Sequence, residues 1–465
     1  MAKETAAANA DKMGSMPIPK LLFSMAVPMM LSMMMNALYN VVDSVFVARL
    51  SEDALTAVSL AFPLQNIMIS VGVGLGVGVS ALVARMLGQG EQEKANRYAM
   101  QGVLLASLFY VIFLIVGLFF LPLYVTSQVD TTLENAQVVI DGCISYLRIC
   151  CLLSFGLMLT TLMEKLLNAT GRTMYTMGIQ MLGAITNIIL DPILIFGLLG
   201  APKLGVAGAA WATVIGQILS GVTGLILNLR KNHDIQFHTA NLRPDGQRIK
   251  EILAISVPSI LMASIGSILT FFLNIILYGF SSTAVAVYGI YFKLQSFVFM
   301  PIFGLNSGMV PIISYNYGAR NRERIHQTVR LAMASAVSIM LIGLAVFNLM
   351  PEQLLKMFDA SEDMMGIGIP AMRTMSLSFC FAGICIICSS TCQAFGYAVY
   401  SLAVSVARQL VVLLPCAYLL SLTGEVSAIW WAWPIAELMS LAVSLLLLRR
   451  VYRRTGMSMK AEAAA

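Results

Sequence analysis

The sequence predicts an all-α integral membrane protein with twelve transmembrane helices in two parallel, pseudo-symmetric six-helix bundles. Three observations carry that expectation: long apolar stretches with few charges, a lopsided placement of Lys and Arg in the links, and an internal repeat. Of 465 residues, 58% are hydrophobic and 11% are charged, against about 25% charged in soluble domains. So few charges cannot cover the water-facing surface of a chain this long. A helix that crosses a bilayer needs about 20 apolar residues. The stretches that qualify are 21–47, 57–84, 100–126, 136–165, 173–198, 205–229, 251–278, 284–314, 327–349, 366–393, 398–421 and 425–448. They are too long for barrel strands of ~9–11 residues and do not alternate polar with apolar, so they read as helices. The longest of them imply tilting or kinking rather than extra crossings.

The links set the orientation. Those after spans two, four, six and eight hold Arg85, Lys94, Arg97, Arg172, Arg230, Lys231, Arg243, Arg248, Lys250, Arg320, Arg322, Arg324 and Arg330. The N-terminal segment adds Lys3, Lys12 and Lys20, and the C-terminal segment adds Arg449, Arg450, Arg453, Arg454 and Lys460. The opposite links hold Arg49, Lys203 and Lys356. Positive charge gathers on the cytoplasmic side of membrane proteins, so both termini are expected there. The net charge of +6 is then a matter of topology, and no nucleic-acid partner is expected. Met1–Met16 lacks the apolar core of a signal peptide. Met1–Ala8 looks tag-like, and it and the Ala-rich end near Ala463 are set aside. The cysteines Cys143, Cys150, Cys151, Cys380, Cys385, Cys388, Cys392 and Cys416 lie in or beside spans four, ten and eleven. Cys385-x-x-Cys388 has no matching Cys or His set, so the thiols read as small packing residues.

The second half repeats the first at an offset near 230. Val27-Pro28 matches Val257-Pro258, Leu64-Gln65 matches Leu294-Gln295, Gly74 and Gly78 match Gly304 and Gly308, and Gly88 matches Gly318. After a five-residue shift, Arg148 matches Arg373, and Ala169-x-Gly171-x-x-x-Tyr175 matches Ala394-x-Gly396-x-x-x-Tyr400. Six spans is an even number, so both copies insert with the same orientation. The expected organisation is an N-lobe over 17–229, a cytoplasmic linker over 230–250 and a C-lobe over 251–455. Internal repeats of this kind are typical of secondary transporters. Glycines four apart let spans two and eight approach neighbouring helices closely.

An ionisable group at membrane depth costs about 2.5–3.5 kcal/mol on insertion scales and so marks function. The first half places Asp43 and Asp191 there, with Glu164 and Lys165 near the cytoplasmic end of span four. The second half places Lys293, Arg408 and Glu437, which are expected to form a charge network with either a neutralising or a coupling role. Arg148 and Arg373, present in both copies, read as structural. Asn36, Tyr39, Asn40 and Asp43 share one helical face of span one. Asn36 and Tyr39 could join helices or touch a substrate. Met33, Met34 and Met35 border that face, and Met surfaces adapt to varied ligands. Asn187 and Asp191 share a face of span five, Pro192 can kink that helix, and Thr213 lies in span six. Two carboxylates, an amide and a hydroxyl could ligate a hard cation or exchange protons.

These residues resemble the multidrug and toxic compound extrusion transporters, in particular their DinF-like bacterial branch, over about 17–455. The resemblance rests on several motifs in order. They are Tyr39-Asn40-x-x-Asp43 followed by Ala54-Leu55-x-Ala57, Asn187-x-x-x-Asp191-Pro192, Gly205-Val206-x-Gly208-Ala209-Ala210-x-Ala212-Thr213, and Pro311-x-x-x-Tyr315-Asn316-Tyr317-Gly318-Ala319. It implies secondary active efflux of organic cations and other amphipathic drugs by H⁺ or Na⁺ antiport through alternating access. It makes Asp43 the coupling residue and joins Asn187, Asp191 and Thr213 to it in an N-lobe site, which would be the metal site if Na⁺ is the coupling ion. Asn36 and Tyr39, with Asn40 and Met33, become candidate substrate contacts. Span seven, Val257 to Phe280, lacks the acidic residue that another branch uses for Na⁺. Arg408 and Glu437 fit the DinF-like pattern instead, which points coupling to the N-lobe.

The alternative within the same wider superfamily is a flippase for lipid-linked or polysaccharide precursors. The span number and the acidic N-lobe motif count against it. No nucleophile motif, phosphate loop or His-rich metal set is present, and His233, His238 and His326 all lie in cytoplasmic links, so an enzyme is not expected. No cofactor is expected beyond the coupling ion. The expected setting is a monomer in a bacterial cytoplasmic membrane. The repeat is asymmetric in its chemistry: Asp43 aligns with Leu273, and Asp191 with Cys416.

Overall fold

In a computed structural model, the described residues are 12–127, 136–358 and 360–457. The topology lysines Lys3 and Lys460, the tag-like Met1–Ala8 and the end near Ala463 lie outside them. Among the described residues the chain is helical without strands. Ten helices are long and apolar enough to cross a membrane, and two bent helix pairs bring the spans to twelve. The spans are span 1 Ile18–Ala48, span 2 Glu52–Gly88, span 3 Gln92–Thr126, span 5 Thr173–Phe196, span 6 Val206–Lys231, span 7 Gly246–Tyr278, span 8 Ser282–Gly318, span 9 Arg322–Leu349, span 11 Ala398–Ser421 and span 12 Val426–Arg454. Spans 4 and 10 are the bent pairs Ala136–Leu152 with Phe155–Ala169, and Glu362–Ser376 with Phe379–Ala394. The twelve-span fold class expected from the sequence is therefore borne out. The helices have an inverted surface logic: Phe119, Leu123, Ile342 and Leu446 are exposed, while Asn187, Asp191, Asn228 and Glu437 are buried. That arrangement suits lipid, where apolar side chains face outward and polar ones must find partners inside.

Repeated sequence gives repeated local structure. The bends of spans 4 and 10 are 49° and 46°, and each falls just before a buried serine, Ser154 or Ser378. Both spans end in the same cap. Gly171 and Gly396 adopt φ of +76° and +88°, a conformation that glycine reaches without a Cβ penalty. The turn each makes lets Arg172 N donate to Leu167 O and Tyr397 N donate to Cys392 O, both at 2.8 Å, satisfying carbonyls left over at a helix end. Two spans depart from α geometry. Span 3 widens to a π-helix at Val116–Phe120 and span 11 at Ala407–Leu413. Pro122 and Pro415 follow those segments, and a proline ring displaces the carbonyl four residues earlier, which widens the turn.

The chain folds into two compact units. One holds Leu31–Ile260, with Lys12 joined to it; the other holds Met13–Met30 and Leu261 onward. These units are cut inside spans 1 and 7, not at the ends of the 230–250 linker. Each cut falls just after the matched prolines Pro28 and Pro258. The matched glycines explain the packing on either side. Within the first unit, a Cβ on Gly74 would lie 2.9 Å from Ile260 N, and one on Gly78 2.9 Å from Ile252 O. Within the second, a Cβ on Gly304 would lie 2.7 Å from the Met29 carbonyl carbon, and one on Gly308 2.8 Å from Ala26 N. Span 2 thus receives the start of span 7 backbone to backbone, and span 8 receives the start of span 1. Small residues allow this approach, which drives helix association where lipid removes the hydrophobic incentive.

The 230–250 segment belongs to the first unit through side chains of span 3. Gln92 Nε2 donates to His233 O and Asp234 O, Asn96 Oδ1 accepts from Gln236 N, and Gln101 Nε2 donates to Asn241 O and Arg243 O. Arg172 pairs with Asp234 at 3.1 Å where both are largely buried. Burial pushes the Asp234 carboxyl above the usual carboxylate range, and Arg172 opposes that shift.

Gly308→Leu should destabilise the protein by about 1–3 kcal/mol, the usual cost of overpacking, because the facing atoms are backbone and cannot turn aside. Gly289→Ala, where a Cβ would meet nothing within 4 Å, should change little. Unfolding of the two purified variants in detergent checks the contrast.

Candidate functional site

The first unit brings together the acidic residues singled out in spans 1 and 5. Asp43 sits near the end of span 1 and Asp191 near the end of span 5, close enough for the two carboxyl groups to interact directly. Asp191 is fully buried. Asp43 is partly buried, and its Oδ1 is buried without a hydrogen-bond partner.

Asn187, one turn before Asp191, ties the pair to span 6. In the amide orientation that matches donors with acceptors, its nitrogen donates to Asp191 Oδ2 at 3.1 Å and its oxygen accepts from Thr213 Oγ1 at 3.2 Å. Both Asn187 and Thr213 are buried. The i, i+4 spacing of Asn187 and Asp191 puts them on one face, and Gly216 and Ala212 keep span 6 slender beside it. A Cβ on Gly216 would lie 2.9 Å from Gly183 O.

Tyr39 lies one turn earlier on span 1, near enough to both carboxyls to interact with their charge. Asn36 and Met33 are partly buried on the same helix. Asn40 is exposed, and its amide nitrogen donates to the Asn36 carbonyl at 2.8 Å. Three groups that the sequence reading did not single out complete the surroundings. Tyr146 and Cys150, both buried on span 4, face Asp43, and Tyr146 Oη donates to Gln65 Oε1 at 3.4 Å. The spacing Tyr146-x-x-x-Cys150 places both on one face, the signal that would have found them. Glu164 lies apart from this group; it is buried and accepts from Gln180 Nε2 at 2.9 Å.

The charged set of the second unit is a pair with one outlier. Arg408 Nη1 donates to Glu437 Oε1 at 2.7 Å, while Lys293 is exposed and enters no ion pair among the described residues. The expected three-member network is corrected to Arg408–Glu437. Lys293 follows Phe292 on the exposed side of span 8, whereas Tyr291 and Leu294 face the core.

A protein-family model, MatE, matches the chain twice, over 28–193 and 258–419. The two matches begin at Pro28 and Pro258, the same prolines that align in the internal repeat. The chain belongs to the MatE family. The sequence-based resemblance to the multidrug and toxic compound extrusion transporters is thereby borne out. Among known proteins it is similar to the multidrug export protein MepA of Staphylococcus haemolyticus (strain JCSC1435), 26% identical over 420 residues and 90% of each chain. It is 25% identical to MepA of Staphylococcus aureus (strain MSSA476), over 90% of this chain and 91% of that one. Among solved structures it resembles a MATE in the straight conformation, with a TM-score of 0.90, 25% identity, and 96% and 99% of the two chains covered. It also resembles a MOP superfamily transporter from Pyrococcus furiosus Vc1 (DSM3638), for which reverse polarity of the binding pocket is described, with a TM-score of 0.86, 26% identity, and 95% and 97% covered. These relatives are transporters, in keeping with the expectation that this MatE-family chain is not an enzyme.

Thr213→Ala removes the hydroxyl that donates to the Asn187 oxygen but keeps the backbone N–H of position 213 that also donates to it, a loss of about 0.5–1.5 kcal/mol. Thr213→Ser should keep the bond and most of the stability. Detergent unfolding of both variants against the parent checks the order.

Proposed function

We propose that this MatE-family chain is a secondary active multidrug exporter that trades organic cations for protons at the Asp43–Asp191 pair. The observation that carries the proton reading is the closeness of the two carboxyls, which can share one proton between them. Losing the shared proton leaves two facing carboxylates, and like charges at that distance repel strongly in a poorly solvated site. An organic cation relieves that repulsion as a proton does, so proton and drug compete for one negative charge. The MepA relatives, named as multidrug export proteins, support the substrate class. Na⁺ is the other cation the site could take, because Asp43, Asn187, Asp191 and Thr213 offer hard oxygen donors. It would need both carboxyls ionised.

The conformational step follows from the same site. Asp43 belongs to span 1, and Asn187, Asp191 and Thr213 to spans 5 and 6. Adding or removing the proton changes how span 1 packs against them, with Tyr39 and Asn36 carried along as substrate contacts and Met33 beside them. A ligand shifts a two-state protein only through differential affinity for the two states, and competition at Asp43 supplies that difference. Alternating access is the resulting cycle. The Lys and Arg asymmetry of the links supports cytoplasmic termini, the bacterial relatives support a place in the cytoplasmic membrane, and we take the chain to act as a monomer.

In vesicles with separately imposed H⁺ and Na⁺ gradients, efflux of an ethidium-type dye should follow the H⁺ gradient. Asp43→Asn should reduce efflux to background while the protein still inserts and folds. Efflux that collapses with the Na⁺ gradient alone would assign the site to Na⁺, and retained efflux in Asp43→Asn would remove Asp43 from the coupling step.

A further inference from the structure

The second unit holds a cluster of buried polar atoms that the reading above does not use. Glu437, Ser440 and Ser444 are spaced three and four residues apart, so they share one face of span 12, and all three are buried, with Glu437 at 7% exposure and Ser440 and Ser444 at 0% and 1%. Arg408 occupies Glu437 Oε1. Glu437 Oε2, Ser440 Oγ, Ser444 Oγ and Tyr291 Oη are buried without hydrogen-bond partners. Tyr291 reaches the cluster from span 8, near the Glu437 carboxyl. Cys385 of span 10 turns its thiol to Glu437 and both serines, but a thiol is a weak donor. Tyr291, Cys385 and Arg408 are thus the titratable groups recorded facing Glu437, from spans 8, 10 and 11.

Unpartnered buried polar atoms are rare, and each costs about 1–3 kcal/mol. Several converging in one place need a shared partner. The chemistry narrows the choice. Glu437 is already engaged by Arg408, and the other oxygens are neutral hydroxyls, a poor set of ligands for a metal cation. Water fits instead: each molecule needs two to four polar partners, and a carboxylate oxygen with three hydroxyls, the span 12 groups spread over about two helical turns, can anchor a short chain of them. The position of Arg408 adds the second element. It stands in the π-helical turn Ala407–Leu413, and π segments inside α-helices recur at functional sites. Its side chain is 23% exposed, against 9% for Glu437, so the arginine is the less enclosed partner of the pair.

We infer that Glu437 is a second proton-binding site, in which a proton delivered through water held by Tyr291, Ser440 and Ser444 displaces Arg408. The proton bonds to a carboxylate oxygen of Glu437, which becomes neutral. Arg408 keeps its own proton, loses its ion-pair partner and turns toward its exposed side. The site moves from zero net charge to plus one, and the π-turn that carries Arg408 is the element free to rearrange. The site stands apart from the Asp43–Asp191 pair and does not depend on which cation that pair takes.

Infrared difference spectra of the purified full-length protein between alkaline and acidic buffer test this directly. In an Asp43→Asn/Asp191→Asn background, acidification should produce a protonated-carboxyl band, part of which is lost when Glu437→Gln is added. Glu164 and the exposed carboxyls account for the part common to both. Spectra that Glu437→Gln leaves unchanged would overturn the inference. Since Glu437→Gln strands Arg408 and could impair folding, Ser440→Ala/Ser444→Ala in the same background provides the second arm. It keeps the ion pair and removes the water anchors, and should shift the pH at which the band appears. No shift in that variant would also overturn the inference.

Discussion

Two carboxyl groups brought close together, inside a helix bundle built for lipid, set the terms for the rest of the first unit. Asp43 and Asp191 cannot both be ionised at that distance without a cation between them, and neither has bulk water to spread its charge. Everything around them serves that constraint. Asn187 gives the Asp191 carboxylate a donor, Thr213 orients the amide from the next helix, and Tyr39 places a phenol beside both acids. The buried faces of spans 5 and 6 are narrow where they meet because Gly183 and Gly216 lie there. A larger residue at either position would push the helices apart and break the Asn187–Thr213 contact.

The scaffold beneath this site is duplicated, and its chemistry is not. Matched prolines, matched glycine pairs, matched bends and matched glycine caps recur in the two copies. These are all backbone devices: they fix where a helix kinks, where it ends and how near another can come. The acids are not duplicated. Leu273, buried in the second unit, stands where the first copy has Asp43. The second copy has acquired Arg408 and Glu437, with Glu437 on a span whose counterpart in the first copy contributes Thr213. A membrane span tolerates a buried charge when a partner neutralises it, and the two units differ here: one sets two carboxyls close together, the other pairs a carboxylate with an arginine.

Much of this was legible in the sequence because the bilayer imposes strong rules. Length and apolarity located the spans, since a crossing helix has little freedom in either. The rarity of charge at membrane depth picked out Asp43, Asp191, Arg408 and Glu437. Spacing placed Asn187 with Asp191. The misses have physical reasons too. Lys293 was grouped with Arg408 and Glu437 on depth alone, and depth does not say which side of span 8 a residue occupies. Tyr146 escaped notice, and Gln65 was noticed only as a marker of the repeat, because an uncharged polar residue stands out less at depth than a charged one. The changeover of spans 1 and 7 between the compact units depends on tertiary packing after Pro28 and Pro258, which a linear reading of the halves cannot reveal.

The account turns on one negative charge at Asp43–Asp191 being shared between a proton and a cationic drug. Proton release on drug binding measures that sharing without a membrane or a gradient. Purified protein in weakly buffered detergent solution, titrated with a permanently charged organic cation at mildly acidic pH, should release a proton for each cation bound. The release should disappear in Asp43→Asn and in Asp191→Asn. Tight cation binding with no proton release from the unmodified protein, or the same release from both variants, would contradict it.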